Sequence, residues 1–102
     1  KAIQLMDSPL YEINNIYPTL IPNWDHTPRS GRHGRVMHGS NPELFGKHVQ
    51  MILDRVKNKD EQDRIIFLKS WNEWGEGNYL EPDLKFGTRY IDTLYQCLTK
   101  NA

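Results

Sequence analysis

One cysteine, Cys97, is all that this 102-residue chain carries. A single thiol excludes an internal disulfide framework and fits a reducing, cytoplasmic setting. Cys97 falls inside a helical pattern, so a packed thiol is expected there rather than a nucleophile. Net charge is also missing, since 13 basic and 13 acidic residues cancel. Nothing in that balance calls for nucleic acid or a membrane surface as partner. No apolar run approaches the ~20 residues of a membrane span, and no signal-peptide core is present. His26, His33, His38 and His48 do not fall at metal-ligand spacing. The glycines form neither G-x-G-x-x-G nor a Walker pattern. Neither a metal nor a cofactor is therefore expected. Internal repeats and low-complexity tracts are absent as well. The chain opens Lys1-Ala2-Ile3 without a methionine, and only 37% of it is hydrophobic. That is a polar balance for a self-sufficient core, and the chain reads as the C-terminal piece of a larger protein.

What is present is an alternation of elements. Residues 1–15 are ambiguous, because Ser8-Pro9 interrupts their apolar positions. Residues 16–22 (IYPTLIP) read as a strand whose two prolines limit its pairing. A long polar loop, 23–39, follows. Ser40-Asn41-Pro42-Glu43 resembles a capping box with Ser40 as N-cap. From there Phe45, Val49, Ile52, Leu53 and Val56 recur at helical spacing, predicting a helix over 41–57. Residues 64–70 read as a second strand, and its uninterrupted apolar run predicts burial on both faces. Tyr90, Ile91, Leu94, Tyr95 and Leu98 predict a second helix over 88–100. Strand, helix, strand, helix implies an α/β segment of parallel strands joined by right-handed crossovers. Both long loops follow strands, as functional loops do in a (β/α)8 TIM barrel, so 1–102 is expected to be the C-terminal part of one.

The chemistry concentrates in the second loop. Ser70-Trp71-Asn72-Glu73-Trp74-Gly75-Glu76-Gly77 places two carboxylates three positions apart, with two of the chain's three tryptophans beside them. Carboxylate pairs do general acid/base work, and indole faces stack on sugar rings. The glycines let the backbone turn so that both acids can face one cleft. Loop acids are ordinarily just solvated. Here the tryptophans, the glycines and the preceding apolar strand favour a carbohydrate site with Glu73 and Glu76 as catalytic acids.

At this level of detail a family resemblance emerges. The segments YPTLIPNWDHTPRSGRHGR (17–35) and FLKSWNEWGEGNYLEPD (67–83) resemble the WbsX-like proteins, described as glycosyltransferases of surface-polysaccharide biosynthesis such as that of lipopolysaccharide O-antigen. These in turn are similar to the barrel of family 99 glycoside hydrolases. The resemblance implies that Glu73 and Glu76 are the paired acids of a retaining reaction on α-mannosides. Glu76 would protonate the leaving oxygen and Glu73 would act on the 2-hydroxyl side. The ordinary retaining route through a covalent intermediate stays open for so close a pair. Trp24, Asp25, Arg29, Trp71, Asn72 and Trp74 would contact the substrate. One departure is visible: Asn23-Trp24-Asp25 stands where the hydrolases tend to carry Gly-Tyr-Asp, so an indole that only donates replaces a hydroxyl that also accepts.

Arg29, Arg32 and Arg35, with His33 and two glycines between them, form a second constellation. They could grip the diphosphate of a nucleotide sugar or simply pair with nearby acids. Glu81-Pro82-Asp83 reads as a structural corner before the last helix. Three functions follow: an enzyme acting on glycosidic bonds, a glycosyltransferase using a nucleotide sugar, or a non-catalytic sugar-binding module. Two strands with open edges also predict that the chain by itself is inactive and self-associates.

Overall fold

The computed structural model describes residues 6–25, 32 and 39–100. Two strand segments, β1 (Thr19–Leu20) and β2 (Phe67–Leu68), pair in parallel, with Thr19 opposite Phe67 and Leu20 opposite Leu68. The connection between them carries helix α1 (Pro42–Val56), and helix α2 (Arg89–Lys100) follows the site. This is the expected mixed α/β order. The strands are short for a reason visible in their composition: Pro18 and Pro22, both fully buried, bracket β1 and have no N–H to donate. The ladder continues only as Phe67 N to Pro18 O and Lys69 N to Leu20 O, at 3.0 and 2.9 Å.

Helix α1 begins one residue later than its capping-box pattern suggests. Asn41, not Ser40, is the N-cap, and its side chain accepts the Leu44 amide at 2.8 Å. Pro42 then takes the first helical position, where its missing N–H costs nothing. Glu43 forms an ion pair with Arg89 and so ties the starts of the two helices together. The α1 stripe of Phe45, Val49, Ile52 and Val56 is buried, with Val49 and Ile52 fully enclosed. Each of those two contributes about 1.5–3 kcal/mol by leaving water. They meet Leu20, Leu80 and Tyr90, with Leu53, Ile66, Leu68, Ile91 and Leu94 packed around them. α2 approaches α1 closely at Gly46, where an added Cβ would lie 2.9 Å from the Thr93 methyl. Cys97 is a packed thiol donating to the Gly46 carbonyl at 3.7 Å, and burial pushes its pKa up.

The second strand corrects the expectation of burial on both faces. Ile66 and Leu68 pack on the core, but Ile65 and Phe67 remain 42% and 56% exposed. The helices cover one face of the β1–β2 pair, so alternate side chains of an apolar run point away from them.

The ambiguous N-terminal stretch is tied to the end of α1. A short 3-10 turn, Pro9–Glu12, is capped by Ser8. Arg55 grips Asp7 with two parallel bonds of 3.0 Å and reaches Glu12 at 2.6 Å, which holds the Asp7 carboxyl below the usual carboxylate range. Lys59, which is buried, donates to the Ile16 carbonyl at 2.7 Å.

Candidate active site

The acidic segment folds as a tight hairpin rather than an open loop. β3 (Asn72–Glu73) pairs antiparallel with β4 (Asn78–Tyr79), Glu73 standing opposite Asn78. A 3-10 turn, Trp74–Glu76, joins them. Gly77 closes the turn in the left-handed region, at φ +57°. Glu73 and Glu76 thus stand at the two ends of one turn, both partly buried. The first loop arrives beside them: the Asp25 amide donates to the Glu76 carbonyl at 2.8 Å. The fit is close, since a Cβ on Gly77 would lie 2.6 Å from the Asp25 Cβ and 2.7 Å from its nitrogen. Only a glycine serves both the turn and this approach.

Trp24 comes with Asp25 and has the Lys69 ammonium 5.5 Å from its ring centre, so a cation occupies part of that aromatic surface. Trp71 and Trp74 are 48% and 44% exposed. Trp74 stacks on Tyr79 with 3.7 Å between ring centres and 13° between planes. Both rings are tied at their polar tips, Trp74 Nε1 to Glu81 and the Tyr79 hydroxyl to Asp83, each at 2.8 Å. Burial, together with that Asp83 contact, pushes the Tyr79 phenol up to about 12, so it stays neutral at ordinary pH. The stacked pair borders an open depression of about 630 Å³, completed by Pro82, Asp83, Leu84 and Lys85. Asp83 also accepts the Phe86 amide and exchanges backbone bonds with Gly87, the corner read from Glu81-Pro82-Asp83.

Trp24, Asp25, Trp71, Asn72, Glu73, Trp74 and Glu76 therefore all belong to the hairpin or to the loop bonded to it. Asn72 is exposed opposite Tyr79. Arg29 lies outside the described residues, as do Arg35 and His33; Arg32 is exposed. Among the described residues no group of three or more His, Cys, Asp or Glu could hold a metal, and no helix is long and apolar enough to cross a membrane.

Sequence reasoning missed Asn23, Asn78 and Tyr79. Asn78 is buried, donates from Nδ2 to the Asn23 carbonyl, and receives the Ser70 hydroxyl on its own carbonyl. The available signal was its place directly after Gly77, where a hairpin returns and a polar side chain turns inward.

The sequence profile of the family described as Glycosyltransferase WbsX matches residues 1–94. The chain belongs to the WbsX family. Two curated proteins named WxcX and described as uncharacterized, from two strains of Xanthomonas campestris pv. campestris (B100 and ATCC 33913), are each 34% identical to it over 86 residues. The match covers 83% of this WbsX-family chain and 12% of each WxcX protein, so the chain spans a small part of the relatives' length. No solved structure matches.

Proposed function

We propose that the chain is the C-terminal portion of a (β/α)8 barrel that acts on glycosidic bonds, with Glu73 and Glu76 as the acid/base pair and surface polysaccharide as the setting. The observation that carries this reading is the bond from the Asp25 amide to the Glu76 carbonyl, which brings the first loop of a WbsX-family sequence to the turn holding both acids. Glu76 gives its proton to the leaving oxygen while Glu73 faces the 2-hydroxyl side. Trp71 and the Trp74–Tyr79 stack offer rigid apolar faces to sugar rings. The exposed face carrying Ile65 and Phe67, turned away from the helices, would line the interior of the closed barrel. Without the rest of the barrel it favours association of the 102-residue piece, which a stable monomer in light scattering would contradict.

The test is Glu76→Gln in the full-length protein, assayed on 4-nitrophenyl α-mannoside. Turnover falls by ~10²–10⁴ while sugar binding persists. Unchanged turnover makes Glu76 an ordinary turn residue. A second reading, transfer from a nucleotide sugar, is favoured by the description of the family and by the three arginines of the 23–39 loop. Consumption of GDP-mannose without glycoside hydrolysis selects it. Binding of mannosides with neither reaction selects a sugar-binding module.

A further inference from the structure

Asn78 is fully buried, and its bonds join the two loops of the site. Its Nδ2 donates to the Asn23 carbonyl. Asn23 in turn accepts the Tyr79 amide on Oδ1 at 2.8 Å, and its side chain bonds the Tyr90 hydroxyl in the core. The Asn78 carbonyl accepts from the Ser70 hydroxyl, and the same hydroxyl accepts the Glu73 amide at 3.2 Å. Two residues beyond Asn23, the Asp25 amide reaches the Glu76 carbonyl. The bonds thus run from Glu73 through Ser70, Asn78 and Asn23 to Asp25 and back to Glu76, a ring around the turn.

The Asn78 Oδ1 has no partner among the described residues. An enclosed amide costs stability wherever it goes unpaired, a cost that an apolar side chain of similar size would not incur. The bond to Asn23 is what an asparagine supplies here and an apolar residue cannot.

We propose that Asn78 is a positioning residue for the acid pair. Its amide fixes the separation between loop 23–25 and turn 74–76, and with it where Glu73 and Glu76 stand relative to Trp24 and Asp25. The proposal rests on the acid-pair reading above. Being enclosed, Asn78 acts through the backbone it ties and not on the sugar.

The test compares Asn78→Ala, Asn23→Ala and the double variant in the full-length protein, with Ile52→Val as a core control. Two quantities are read: hydrogen exchange at the Asp25 and Tyr79 amides, and kcat and KM against pH on 4-nitrophenyl α-mannoside. Asn78→Ala is expected to speed exchange at both amides by ~10-fold or more. It lowers kcat by ~10–100-fold with KM within about twofold, the signature of misplaced groups rather than lost binding. Asn23→Ala removes the Oδ1 bond to the Tyr79 amide but leaves the Asn78 bond, which ends on the Asn23 main-chain carbonyl, so it speeds exchange at Tyr79 and not at Asp25, and the double variant carries both losses. Ile52→Val lowers the unfolding midpoint and does none of this. Unchanged exchange at Asp25 and Tyr79 overturns the proposal whatever the activity, and so does a kcat loss that Ile52→Val reproduces. A wild-type protein that turns over no mannoside counts against the acid-pair reading alone, and the exchange result still decides the role of Asn78.

Discussion

Gly77 and Gly87 share the same backbone angle, φ +57°, but not the same surroundings. No described residue lies within 4 Å of a Cβ built on Gly87, whereas one on Gly77 would press into the backbone and Cβ of Asp25. Substitution by alanine separates two costs that usually arrive together. At Gly87 the loss is conformational only, about 1–2 kcal/mol for placing an L-residue in the left-handed region. At Gly77 the same loss is joined by overpacking against backbone, which cannot rotate aside, so the total rises to about 2–5 kcal/mol. The extra cost has a direction: to relieve it, loop 23–25 must move off the turn and break the Asp25–Glu76 bond. Urea denaturation of the two variants, followed by tryptophan fluorescence, measures the difference, and Gly39→Ala (φ +75°, open space) gives a second reference. Equal destabilisation of all three within about 0.5 kcal/mol, the scatter of ordinary surface changes, would refute the close approach of the two loops.

Two further outcomes follow from the core. Ile52→Ala, at a position with no exposed surface, should cost about 2–5 kcal/mol in the same denaturation assay. His48 is enclosed and accepts the Ile21 amide on Nε2 at 3.3 Å. Burial pushes its pKa below 6.5 despite the attraction of Asp7. The unfolded chain therefore takes up the proton first: stability is whole above pH 6.5 and declines as pH falls from there through the depressed folded value. Unfolding midpoints measured across that window should slope in the wild type and flatten in His48→Leu.

The parts of the fold written into local periodicity were legible. The stripe of α1, the span of α2 and the parallel order of β1 and β2 follow from spacing and alternation, which act over a few residues, although Tyr95 and Leu98 of the α2 pattern are exposed. Contacts between distant positions left no such trace. Arg55 binds Asp7 across 48 positions, and Asn14 meets Asp60 across 46, so residues 1–15 read as ambiguous. The choice of Asn41 over Ser40 as cap turns on one residue of phase, finer than a capping pattern resolves. In the site, the acids and tryptophans were visible because their chemistry is unusual in combination. Asn78 was not, because an asparagine beside a glycine reads first as a turn. The one-sided burial of β2 was hidden for another reason: an apolar run does not say how many faces are covered.

The tie between Asp25 and Glu76 is made by main-chain atoms on both sides. It is therefore blind to which side chains occupy positions 25 and 76, and to those at 24, 71 and 72. Side chains at 24, 71 and 72 can change without dismantling the joint, while Asn23, Gly77 and Asn78 must travel with it. Residues 23–25 and 70–79 form a cassette, and a chimera that imports one segment without the other inherits new side chains on a misfitted hinge.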